Sequence, residues 1–171
     1  AADEVSLGVG ASGTHLGTSL KDLQKLGVDT VLVTGAEGLT VDFGGASGEA
    51  SVAGLNGNGL PVFGDIDHDG VLSADEDAAL NVTLNLDQAY VDQELGNVAD
   101  LATQLAAAGI DYIGINGAGA GSVTITDDQA GSLVAAGLAF SDGGSDAADE
   151  VSLGVGASGT HLGTSLKDLQ K

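Results

Sequence analysis

The sequence predicts an α/β or α+β fold in which short helices alternate with short strands, forming one repeat unit of a tandem domain array. Three observations predict it. Three segments carry helix-start and helix-stop residues at helical spacing. Each stop glycine leads directly into an apolar strand pattern. The first 25 residues of the 171-residue chain also recur verbatim at its end.

Taken in order, residues 4–9 read as a strand, followed by the spacing Gly8-x-Gly10-x-x-Gly13. The first helix is announced by Ser19 and Asp22, an S-x-x-D capping box in which the hydroxyl satisfies a first-turn N–H. Leu16, Leu20 and Leu23 fall on one face, and Gly27 fits the C′ position, where a left-handed residue ends a helix. "VDTVLV" (28–33) then reads as a strand, and further strands are expected at 39–43, 60–63, 80–86 and 122–126. A short helix is expected at 74–79. The second full helix is placed with Asn97 as cap, Asp100 three residues on, a Val98-Leu101-Leu105 stripe and Gly109 as stop, before the strand "IDYIGI". The third has Thr126 and Gln129 as its capping pair, Ala130, Leu133 and Val134 facing inward, and Gly137 before "LAF". Alternation in "SVTIT" and "ALNVTLNL" predicts sheets with one wet face.

The copy, "AADEVSLGVGASGTHLGTSLKDLQK", occupies residues 1–25 and 147–171, a period of 146. A match of that length marks either a duplicated end or a window on a tandem array, and the array is the reading adopted. Residues 1–146 then form one complete unit of unfixed phase, and 147–171 begin the next identical unit. The loop "SDGGSD" (141–146) is the natural joint between units. The unit contains a fainter echo of its own. "LQKLGVDTVLVTG" (23–35) aligns with "LAAAGIDYIGING" (105–117), matching Gly27 to Gly109 and Val28-Asp29 to Ile110-Asp111. Two identical segments compete for one place, so one copy is expected to pack on residues 26–146. The other is expected to extend or to pair with a neighbouring chain, giving head-to-tail assembly.

Composition narrows the partners. Four Lys and no Arg stand against 25 acidic residues, a formal net charge of −21. Such a surface repels nucleic acid and anionic membranes, whose phosphates require Lys and Arg, and it attracts cations. No Cys is present, which removes disulfides and thiolate chemistry. With 43% hydrophobic residues and 29 glycines, the chain reads as folded, with small side chains and many tight turns. No run approaches the roughly 18 apolar residues of a membrane helix. No basic-then-apolar leader opens the chain, so it is expected to be a window on something longer.

"DIDHDGVLSADE" (65–76) carries the strongest chemical signal, filling D-x-D-x-D-G-x-x-x-x-x-E. Asp65, Asp67 and Asp69 stand at the first, third and fifth positions, and Gly70 stands where the chain must turn sharply. Val71 offers its backbone carbonyl, Ser73 a hydroxyl (directly or through water) and Glu76 both carboxylate oxygens. This spacing wraps oxygens around one Ca2+, which takes about 6–8 of them at roughly 2.3–2.6 Å. Leu72 is the residue of the loop expected to pack inward, and His68 is expected to point away. Over these twelve residues the chain resembles the calcium loops of EF-hand and dockerin-like proteins. Its flanks differ, with a strand before the loop and a short helix after it. A lone loop of this kind points to a structural ion rather than a paired sensor. Asp142, Asp146, Asp149 and Glu150 form a weaker acidic group at the joint, and Asp127 and Asp128 suit a helix N-terminus.

An enzyme is not expected. The glycine spacing at 8–13 is that of a dinucleotide turn, but the acid that should follow the second strand is missing. Asp29 comes before its strand, and Glu37 lies beyond it in a glycine-rich turn. His15 recurs as His161 and His68 lies in the acidic loop, which leaves one other His per unit, without a serine elbow or partner ligands. His15 is expected at the entrance of the first helix, as a polar cap or a surface residue.

The calcium loop, the acidity, the lack of Cys and the tandem layout together resemble the repeat regions of giant calcium-binding bacterial surface adhesins, of the repeats-in-toxin or biofilm-associated type. That resemblance implies secretion, display on the bacterial cell surface and a non-catalytic fibre or stalk role, with neighbouring identical units as partners. The alternative is a calcium-dependent binding module that docks an extracellular protein or glycan.

Overall fold

The computed structural model describes residues 5–9, 15–33, 38–44, 59–65, 72–77, 80–116, 122–141 and 150–154. In chain order the elements are β1 (Ser6–Val9), β2 (His15–Leu16), α1 (Leu20–Leu26), β3 (Thr30–Val33), β4 (Gly38–Asp42) and β5 (Val62–Phe63). They continue with α2 (Ala74–Asp77), β6 (Asn81–Asp87), α3 (Val91–Asp100), α4 (Ala102–Ala107), β7 (Tyr112–Asn116), β8 (Ser122–Thr126), α5 (Asp127–Ala136), β9 (Ala139–Phe140) and β10 (Glu150–Gly154). The fold is α/β.

Every described strand pair is parallel. The strands form three sheets, ordered β1-β3-β5, β2-β4-β6-β7-β9 and β8-β10. Most strands pair with the strand two further along the chain rather than with the next one. Paired positions lie from 24 residues apart (Ser6 with Thr30) to 43 apart (Gly38 with Asn81). The chain therefore rises in successive coils, and a coil adds strands to more than one sheet, as in solenoids whose repeats contact mainly their neighbours. The alternation that predicted one wet face is kept, but in a parallel sheet. In β6, Val82, Leu84 and Leu86 are 1%, 0% and 0% exposed, while the residues between them are more open. The buried face packs on helices, which is how parallel sheets are usually covered. Leu95 and Val98 of α3, Leu105 of α4 and Leu133 of α5 join Leu39, Val41, Ile113 and Val123 in one core.

The helix stops fall where the sequence places them. Gly27, Gly109 and Gly137 have φ of 70°, 88° and 86°, the left-handed region that glycine enters without a Cβ penalty. In each module the residue after the glycine donates its N–H back across the cap: Val28 to Leu23, Ile110 to Leu105 and Leu138 to Leu133, at 3.1, 3.0 and 3.0 Å. These are three Schellman caps, closed by buried apolar pairs. The starts agree at two helices. Thr126 and Gln129 form a complete capping box. Ser19 Oγ accepts the Asp22 N–H and donates to Asp22 Oδ2 rather than closing on the backbone. The third start is corrected, because Asn97 lies inside α3 and does not cap it. Asp87 begins the turn instead. Its Oδ1 accepts the Ala89 N–H at 2.8 Å and its carbonyl accepts the Tyr90 N–H at 2.9 Å, so the helix starts at Val91. The apolar stripe runs from Val91 through Leu95, Val98 and Ala102 to Leu105, and the capping signal at Asn97 falls within it.

The internal echo is a structural repeat. Asp29 donates its N–H to the Val5 carbonyl at 2.9 Å while its Oδ2 accepts the Val5 N–H at 2.8 Å. Asp111 makes the same pair with Val82, at 2.9 and 2.7 Å. Each aspartate also offers its carbonyl to the next coil, Asp29 to Val62 and Asp111 to Ala139. In these two modules one side chain thus ties the coil to the one before it. The third module has Ala139 at this position and carries no such carboxylate.

Over residues 5–8 and 151–154, the part of both copies that is described, the repeated segment takes two different places. Val5 leads into β1 and Ser6–Gly8 belong to it, pairing with β3, whereas the identical residues 151–154 all belong to β10, which pairs with β8. The expectation that one copy extends away or leaves the molecule is corrected for these residues: both are strands of the same chain, in different surroundings.

Candidate functional site

The loop at 65–76 connects β5 to α2, the strand–loop–helix order expected of it. Its leading end is fixed by two coils. The Phe63 N–H donates to the Ala108 carbonyl and the Gly64 N–H to the Val31 carbonyl, both at 2.9 Å. Gly64 has φ 85°, and this turn carries Asp65 into the interior, where it is 0% exposed. Burial of a carboxylate is costly unless a partner or cation compensates it.

The trailing end is fixed by a capping box on α2. The Glu76 N–H donates to Ser73 Oγ at 3.4 Å, and Glu76 Oε2 accepts the Ser73 N–H at 3.0 Å. The two predicted ligands at this end are thereby held together. The two ends also approach each other, since a Cβ on Gly64 would lie 3.9 Å from the Glu76 carbonyl and 3.5 Å from Leu80 Cδ2. Leu72 packs inward as expected: its Cδ2 is 3.0 Å from where a Cβ on Gly109 would be, so the loop rests on the cap of α4. Asp67, His68, Asp69 and Val71 lie outside the described residues, as does the acidic group at 142–149. Among the described residues no group of three or more His, Cys, Asp or Glu is gathered for a metal. The donor set suits Ca2+, being all oxygen, with carboxylates at both ends of a short loop.

A second acidic group was not anticipated by the sequence reading. Asp42 and Asp87 end two paired parallel strands, β4 and β6, and Glu94 of the following α3 lies beside them, 5% exposed. Glu94 Oε2 accepts the Asp87 N–H at 2.7 Å. Burial raises the pKa of Glu94 above its ordinary value; the Asp87 N–H opposes the rise, and the nearby Asp87 charge adds to it. Asp42 also faces His15 Nε2 at 3.0 Å, with the His15 side chain 52% exposed. His15 is thus a surface residue, located in β2. The sequence signal that could have exposed this group is an acid closing each of two strand patterns, "LTVD" and "LNLD". Its hydrogen bonds support the strand-to-helix turn.

The glycine spacing at 8–13 leads into β2, and α1 begins only at Leu20. Gly10 and Gly13 lie outside the described residues. Asp127 and Asp128 occupy the first turn of α5, where their charge suits the helix dipole. No helix among the described residues is long and apolar enough to cross a membrane. No protein-family model, curated protein or solved structure matches the chain.

Proposed function

We propose that the chain is a non-catalytic, calcium-stabilised structural repeat of a secreted fibre or adhesin stalk on a bacterial cell surface, joined head to tail to identical units. The observation that carries this reading is the placement of the 65–76 loop within the stack. Asp65 is buried at one end, Ser73 and Glu76 are clamped at the other, and Leu72 is seated on Gly109. Asp65, Asp67, Asp69, the Val71 carbonyl, Ser73 and Glu76 would hold the ion. When bound, Ca2+ supplies positive charge that lets several carboxylates converge, and it links β5 to α2. The verbatim repeat and the stacked parallel coils support an extended, load-carrying role over a reaction centre.

The test is thermal unfolding with Ca2+ and with chelator, alongside calorimetric titration. A ligand that binds only the folded state at a hundredfold excess over Kd stabilises by about 2.7 kcal/mol. For a chain of this size that raises Tm by roughly 5–10 °C. Glu76→Gln is expected to weaken binding and shrink the shift. An unchanged Tm with no calorimetric binding overturns the reading.

A further inference from the structure

The repeated segment gives two views of one strand. In β1 it stands at the end of its described sheet, with β3 on one side. In β10 it pairs with β8, with Val151 opposite Val123, Ser152 opposite Thr124, Leu153 opposite Ile125 and Gly154 opposite Thr126. The two views use opposite edges. Val5 turns both its N–H and its carbonyl toward Asp29, on the β3 side. Peptide groups alternate along a strand, so those of Ser6 and Gly8 face away from β3. Their equivalents in β10 are Ser152 and Gly154, and Gly154 does lie against β8: a Cβ there would sit 3.0 Å from Thr124 Cγ2 and 3.5 Å from the Ile125 carbonyl. At Gly8, the same residue of the other copy, a Cβ would meet nothing within 4 Å. The glycine is crowded only where β8 is present, and β1 presents the same edge without it.

We infer that the outer edge of β1 is the docking edge for β8 of a second copy of this chain, the unit that precedes it in an array. The register is the one β10 displays: Val5 opposite Val123, Ser6 opposite Thr124, Leu7 opposite Ile125 and Gly8 opposite Thr126 of the other copy. Sheets β8-β10 and β1-β3-β5 are then two pieces of one sheet, ordered β8, then the shared strand, then β3 and β5. Units in an array form a continuous parallel stack in place of separate beads on linkers, and the strand edges at the joint are covered by the neighbouring unit. In this chain β10 fills the β8 edge from within. The inference rests on reading the chain as a self-associating repeat but does not involve the calcium loop, so either can fail without the other.

The chain has no cysteine, so introduced pairs report cleanly. Ser152→Pro removes a backbone donor from β10 and releases the β8 edge. In that background, Ser6→Cys with Thr124→Cys is expected to give dimers and longer ladders on oxidation, collapsing to monomer on reduction. Facing residues of adjacent strands lie about 4.8 Å apart, within disulfide reach. Val9→Cys with Thr124→Cys, three positions out of register and roughly 10 Å away, is expected to give at least tenfold less. Adding Gly8→Val to the in-register pair is expected to abolish the ladder by filling the space β8 needs. With Ser152 retained, the in-register pair is expected to stay monomeric. Circular dichroism confirms folding of each variant, and Gly154→Val offers a second way to displace β10 if Ser152→Pro does not fold. A folded, released variant that forms no ladder overturns the inference, as does a ladder indifferent to register or to Gly8→Val.

Discussion

Gly27 and Gly109 fill the same place in two copies of one module, and the structure predicts that replacing them has unequal consequences. Both are left-handed C′ residues, at φ 70° and 88°. Alanine at either site incurs the left-handed penalty, about 1–2 kcal/mol. At Gly27 nothing further is added, because a new Cβ meets no atom within 4 Å. At Gly109 the Cβ would sit 2.9 Å from the Phe63 carbonyl oxygen and 3.0 Å from Leu72 Cδ2. The carbonyl belongs to a strand whose N–H is bonded to Ala108, so it cannot retreat without breaking that contact. Overpacking of this kind adds about 1–3 kcal/mol. The expected losses are therefore about 1–2 kcal/mol for Gly27→Ala and about 2–5 kcal/mol for Gly109→Ala. Urea unfolding of both variants at constant m-value measures the difference, and thermal melts should order them the same way. Equal losses would refute the close approach of the 65–76 loop to the α4 cap. A neutral Gly27→Ala would refute the left-handed cap itself.

Two further outcomes follow from the carboxylates. Asp111→Ala should destabilise by about 1.5–3 kcal/mol, the range for a hydrogen bond to a charged group, because it orphans a part-buried Val82 N–H. Asp29→Ala should lose less, since its bond to Val5 is exposed; equal losses in denaturant titration would contradict the burial difference. Glu94 carries a raised pKa, so the folded state holds its proton more tightly than the unfolded chain, whose value is near 4.5. Its contribution to stability is then fully present below that pH and is lost as pH rises through the folded pKa. Glu94→Gln is expected to flatten this part of the stability–pH profile, which melting at several pH values would detect.

What the sequence determined by itself is local. The cap hydroxyls of Ser19 and Thr126, the stop glycines and the alternation in β6 each act within a few residues, so their chemistry is legible wherever they occur. The strand before the twelve-residue pattern and the short helix that closes it are legible for the same reason. The start of α3 was missed because two local signals competed. Asn97 resembles a cap, but the Asp87 turn begins the helix earlier and burial of Val91 and Leu95 holds it there. Only the tertiary structure decided that all the described strands run parallel, that Asp29 and Asp111 bind across coils, and that Glu94 is buried beside Asp87. Pairings between residues 24 to 43 apart leave no signature in any short window. The same holds for the repeated segment: its sequence is identical at 5–8 and 151–154, and only the neighbouring strands, β3 for one and β8 for the other, make it two different edges.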